Sequence, residues 1–200
     1  MTFESETFPA SRWHSRGYLP HWEVGETAQA ITFRMADSLP QALLQRWSEE
    51  LKNLTEDERD NERRKRIERA LDSGHGSGAL ANPAIGGLVE NALLYFDAAR
   101  YRLVSWCIMP NHVHVVATPI NGHTLSKIVH SWKSYSSKKA NALLLRTGSF
   151  WATEYFDRAI RDEAHHAAAV DYIAFNPVKA GLCGRPDEWR FSSAWRGRVR

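Results

Sequence analysis

Tyr101–Thr118 reads YRLVSWCIMPNHVHVVAT, and this stretch decides the fold. Tyr101–Met109 is rich in β-branched and aromatic residues and predicts a strand. Pro110-Asn111 breaks it, as a Pro-Asn pair does at a turn. His112–Thr118 then predicts a second strand. Side chains two apart in a strand share a face. His112 and His114 therefore project together, with Val113 on the opposite side.

Upstream, Ala28–Met35 (AQAITFRM) predicts a strand, and residues 41–53 predict a helix with Leu43, Leu44, Trp47 and Leu51 at helical spacing. Glu56–Leu71 predicts a charged helix containing Arg63, Arg64, Lys65, Arg66 and Arg69. Its interleaved acids point to a self-paired, solvated face, with phosphate contact as the alternative use of its basic run. Gly74-His75-Gly76-Ser77-Gly78 is followed by neither Lys-Ser nor Lys-Thr, so it is no Walker loop and reads as a flexible connection. Asn82-Pro83 opens a helix reaching about Phe96, with Asn as cap and Pro in the first turn. Its apolar stripe is Ile85, Leu88, Val89, Ala92 and Phe96.

Downstream, Thr124–Leu145 predicts a long helix with Leu125, Ile128, Val129 and Trp132 on one side. Glu154–Arg161 predicts a strand. Asp162–Asn176 predicts a helix ending before Pro177, because proline disfavours the helical region in the residue before it. The order strand, helix, strand, strand, helix, strand, helix is an α+β, ferredoxin-like pattern, with helices packed on an antiparallel sheet. Residues 37–82 form a helical insertion after the first strand.

Two hundred residues fit one domain, 1–200, and 43% hydrophobic content supports a sizeable core. No apolar run approaches the ~20 residues of a membrane span, and the N-terminus lacks the apolar centre of a signal peptide. Two cysteines, Cys107 and Cys183, cannot make a disulfide framework or a four-thiolate zinc site. The expected compartment is the cytoplasm. Net charge is only +3, but residues 101–150 carry 6 basic and no acidic residues, and no carboxylate occurs from Ala98 to Thr153. Folded onto one face, that stretch attracts polyanions; spread around, it is a solvated surface.

Two sets of residues carry chemistry. The His112/His114 pair is a divalent-metal clamp awaiting a third ligand, or two unrelated histidines on a polar sheet face. Tyr172 and Asn176 stand four apart on a helix and share a face. A phenol attacks phosphorus when a metal polarises the phosphate, and an amide oxygen is a neutral ligand. Each also has an ordinary structural use, as a core aromatic and as a helix-end residue.

Taken together, MPNHVHVV (Met109–Val116), HSWKSYSSKKAN (His130–Asn141), FWATEYFDRAIRDEAH (Phe150–His165) and VDYIAFNPVKAGL (Val170–Leu182) resemble the single-tyrosine HUH transposases. More narrowly, they resemble the REP-associated tyrosine transposases of bacteria. Residues 16–40 also look like a subgroup of those proteins. The resemblance implies the HUH nuclease fold, with His112 and His114 as the metal pair, Tyr172 as nucleophile and Asn176 completing the site. Mg2+ or Mn2+ is the implied ion.

The implied reaction is transesterification on single-stranded or hairpin DNA, through a 5′-phosphotyrosine and a free 3′-hydroxyl. Tyr135, within its basic segment, suits phosphate positioning, whereas Tyr155 suits packing. Lys133, Lys138, Lys139, Arg158 and Lys179 are further DNA-contact candidates, and Trp132 is the first candidate for an exposed stacking ring. Ala152 stands where relatives often have Gln. The basic end at about 183–200 (Arg190, Arg196, Arg198, Arg200) grips a hairpin or is a frayed tail. The expected protein is a monomer or homodimer, associated with the nucleoid and not with membrane. A DNA-binding protein without catalysis and a zinc hydrolase are the alternatives.

Overall fold

A computed structural model describes residues 12–15, 20–23 and 26–197. Much of the N-terminal part of the resemblance, and Arg198 and Arg200, lie outside the described residues. Strands β1 (Arg12–Ser15) and β2 (Pro20–Glu23) pair antiparallel as a separate ribbon. The main sheet holds β3 (Gln29–Met35), β4 (Tyr101–Ile108), β5 (His112–Pro119) and β6 (Trp151–Ala159), in the order β4-β5-β3-β6 with all pairs antiparallel. Helix α3 (Pro83–Leu94) precedes β4, α4 (Leu125–Leu143) joins β5 to β6, and α5 (Glu163–Lys179) follows. The α+β ferredoxin-like expectation holds.

Alternation along the strands sorts the two faces. Ile31, Phe33, Met35, Val113, Val115 and Ala117 face α3 and α4, in one core with Ile85, Val89, Ile128 and Val129. On the other face Val116, Cys107 and Met109 pack with Ile160 and with Ile173 of α5. His112 and His114 have the parity of Val116, so β5 presents both to the α5 side.

The insertion contains α1 (Gln41–Glu50) and α2 (Glu56–Asp72). It has its own small core of Leu39, Trp47, Ile67, Ala70 and Leu71, on which Phe156 of β6 packs. Part of α2 is self-paired as its sequence suggests. Arg66 pairs with Glu62 at 3.2 Å and also with Glu50.

Four expectations change. The Gly74–Gly78 segment is held in place. Asn111 Nδ2 donates to His75 O at 2.9 Å, and Ser77 N–H donates to Asp37 Oδ2 at 3.0 Å. Gly76 has φ +91°, and a Cβ there would lie 2.6 Å from Asp37 O. The glycine serves a close backbone approach, where slack was expected. Helix α5 runs through Pro177 to Lys179. Proline lacks the N–H for one helical bond, but Ala180 N–H still reaches Asn176 O at 3.0 Å, and buried Asn176 and Pro177 hold the turn.

Strand β6 begins at Trp151, three residues early, because Trp151 pairs with Met35 and packs its ring on Phe33 at 4.9 Å. The chain after residue 183 is pinned to β4. Ile108 N–H donates to Phe191 O at 2.8 Å, Ser193 N–H to Trp106 O at 2.9 Å, and Arg190 pairs with buried Glu90 at 3.0 Å.

Candidate active site

The site begins one residue before the histidines. Asn111 is buried, and its Nδ2 donates to Leu71 O at 3.2 Å and to His75 O at 2.9 Å. Both donors occupied, its oxygen faces His112 Nδ1 at 2.7 Å. An amide oxygen only accepts, so the hydrogen-bond network assigns the His112 proton to Nδ1 and leaves Nε2 as a lone pair. His114 Nε2 lies 2.9 Å from that atom and donates to it, while Thr32 Oγ1 lies 2.8 Å from His114 Nδ1. A hydroxyl both donates and accepts. Thr32 can therefore turn to accept from Nδ1, which frees the second Nε2 lone pair.

Helix α5 closes the site. The Tyr172 ring meets His114 edge to face, with centroids 5.5 Å apart. One turn on, Asn176 is 1% exposed, and neither of its amide atoms has a hydrogen-bond partner. Two imidazoles in contact, with an orphaned buried amide one turn beyond the tyrosine that touches His114, make a donor set that fits a metal site. Among the described residues no group of three or more His, Cys, Asp and Glu could hold a metal. A zinc centre built from three such ligands is therefore not formed among them. Two imidazoles with a neutral amide remain, a set suited to a divalent ion that keeps positions open for phosphate.

Burial sets the protonation states. It holds His112 well below the usual imidazole range, helped by His114. Burial and then the Lys179 charge lower His114 to about 4. Both rings are neutral at pH 7, as ligands must be. Burial, then Glu68 and Asp72, raise the Tyr172 phenol above its ordinary range, while the nearby Asn176 amide opposes this without reaching hydrogen-bond geometry. Lys179 Nζ lies 5.7 Å from the Tyr172 ring centroid and 3.1 Å from Asp72 of α2. The end of the insertion helix is thus tied to both halves of the site, through Leu71 to Asn111 and through Asp72 to Lys179.

A cavity of about 330 Å³ opens beside His114 and Tyr172. Arg158 lines it, together with Arg64, Lys65 and Glu68 of α2. Lys179 lies beside Tyr172, and the candidates on α4 sit elsewhere. Trp132 is 1% exposed, inside the core, and its Nε1 donates to Tyr101 OH at 2.9 Å. It offers no stacking face, because its position in the apolar stripe of α4 buries it. Lys133 Nζ donates to Ala152 O and Thr153 O at 2.8 Å each, and burial lowers it to about 8. Tyr135, Lys138 and Lys139 are exposed on α4, on the sheet side opposite the histidines. Tyr155 is buried, as expected.

Sequence reasoning missed Thr32, Asn111, Glu68 and the site-facing part of α2. Asn111, next to His112, carried a signal in its position; Thr32 did not, since its pairing with His114 depends on strand register.

A ferredoxin-like sheet with two histidines on one strand, faced by a tyrosine and an amide from the last helix, defines the class. Residues 91–176, which contain all four, match the family described as Transposase IS200 like. The chain is similar to the REP-associated tyrosine transposase of Escherichia coli (strain K12), 27% identical over 110 residues, which is 54% of this chain and 64% of that protein. The match thus spans a little under two thirds of that relative. A solved structure of a REP-associated tyrosine transposase bound to a REP hairpin shares the fold at TM-score 0.56 and 17% identity, covering 90% of this chain and 86% of that one.

Proposed function

We propose that this chain nicks and rejoins single-stranded or hairpin DNA through a covalent phosphotyrosine on Tyr172. The observation that carries this is the chain of contacts from His112 to His114 and from His114 to the Tyr172 ring at the cavity, with the orphaned buried Asn176 amide one helical turn beyond Tyr172. His112, His114 and Asn176 would hold a Mg2+ or Mn2+ ion. When bound, that ion supplies Lewis-acid polarisation of the scissile phosphate and eases loss of the phenol proton.

The chain's own residues do the rest. Asn111 fixes the His112 tautomer, and Thr32 adapts to His114. Tyr172 attacks phosphorus, forming a 5′-phosphotyrosine and releasing a 3′-hydroxyl. Reverse attack by a 3′-hydroxyl restores a phosphodiester and frees the tyrosine, so no nucleotide cofactor is needed. Burial raises the phenol above its ordinary range, so its attack needs help in removing the proton. Arg158 and Lys179 border the reacting strand. Tyr135, Lys138 and Lys139, on the far layer, would meet the paired arm of a hairpin.

The test is hairpin DNA labelled on the 3′ side of the nick, incubated with Mn2+ and run under denaturing conditions. A labelled protein–DNA adduct supports the reading. Binding without any adduct favours a DNA-binding protein that lacks catalysis.

A further inference from the structure

The charged insertion helix does not simply face solvent. Arg64 and Lys65 line the same cavity as His114 and Tyr172, opposite Arg158 of β6. Arg64 and Arg158 also border a second depression with Arg161, so cationic groups continue along the outer edge of β6. Their pairing differs from that of their neighbours. Arg66 and Arg46 each have a carboxylate partner. Among the described residues, Arg64 and Lys65 form no ion pair within 4 Å, and Arg64 hydrogen-bonds only the neutral Asn61 amide, at 3.1 Å. A guanidinium has five donors, so most of Arg64's remain available.

Acidic groups bound the site without filling it. Glu68 and Asp157 share the first cavity, and Asp57, Asp60 and Asp157 share the second. The helix is held firmly there by Phe156 in the insertion core and by the Asp72–Lys179 pair.

We infer that Arg64 and Lys65 of the insertion helix, with Arg158, form a phosphate-binding wall that grips the single strand flanking the scissile phosphate. This rests on the nuclease reading above. The insertion would then be a built-in part of the DNA groove.

The test uses the full chain and fluorescein-labelled dT20, followed by anisotropy from 50 to 200 mM NaCl. Each lost phosphate contact removes ~0.7 from the salt slope on single strands, so Arg64→Ala/Lys65→Ala should lower it by ~1.4 and weaken binding several-fold. The charge-keeping Arg64→Lys/Lys65→Arg pair should retain the wild-type slope, separating charge from fold. Arg69→Ala on the same helix, away from the cavity, should also leave the slope unchanged. A wild-type slope in the double alanine variant would overturn the wall while leaving the nuclease reading intact. A wild-type protein showing no salt-dependent binding of dT20 would instead overturn both.

Discussion

The Asn111 amide oxygen lies 2.7 Å from His112 Nδ1, and the same amide's nitrogen donates to Leu71 O and His75 O. One side chain thus joins the insertion to the first imidazole and sets which of its nitrogens is free. Loss of such a supporting partner typically costs ~10–100-fold in metal affinity. Asn111→Ala should therefore weaken Mn2+ binding by at least ~10-fold, read by calorimetry on DNA-free protein. It should also lower stability by ~1–3 kcal/mol, since buried carbonyls lose their donors. Unchanged Mn2+ affinity would remove Asn111 from the site.

Stability should depend on pH in a defined direction. His114 is lowered to about 4 in the folded protein and His112 lies well below its ordinary value. The unfolded chain takes up these protons near pH 6.5. Between there and about 4 the unfolded state binds more protons, so stability is full above 6.5 and falls as pH drops, by ~1.4 kcal/mol per unit for each histidine. Urea unfolding in EDTA at pH 7.5, 6 and 5 measures this. His114→Gln should flatten the profile; an equally steep profile in that variant would contradict the assignment.

Trp132 is a core residue. Its ring packs on Tyr101 with centroids 5.1 Å apart and on Phe33 at 6.2 Å. Trp132→Ala should cost ~3–5 kcal/mol, and denaturant melts will show it. Tyr135→Ala, at an exposed ring, should cost under ~0.5 kcal/mol.

Lys138 and Lys139 separate hairpin holding from chemistry. With both changed to Ala, the salt slope for hairpin binding should fall, while the cleavage rate at saturating DNA stays within about twofold, because both sit on the layer away from His112. A large fall in that rate would place α4 at the reacting phosphate.

The strand alternation around His112-Val113-His114 was legible because a period of two assigns faces without tertiary information. Tyr172 and Asn176 shared a face for the same reason at helical spacing. Other features depended on contacts between distant segments. The tie of Leu71 to Asn111 spans 40 residues, and no local pattern encodes it. Arg64 and Arg66 look alike in the sequence of α2, yet one lines the cavity and the other is held by Glu62 and Glu50. Gly76 had the composition of slack but the geometry of a close contact. Pro177 carried a strong local stop signal, which the buried last turn of α5 overrides.

The most direct measurement is the covalent adduct in Tyr172→Phe. That change removes one hydroxyl and keeps the ring against His114, so Mn2+ and hairpin binding should stay close to wild type. Denaturing electrophoresis of the reaction with 3′-side-labelled hairpin DNA should show the adduct in wild type and in Tyr135→Phe, and none in Tyr172→Phe. A denaturation-resistant adduct formed by Tyr172→Phe would contradict the account and move the nucleophile to another tyrosine.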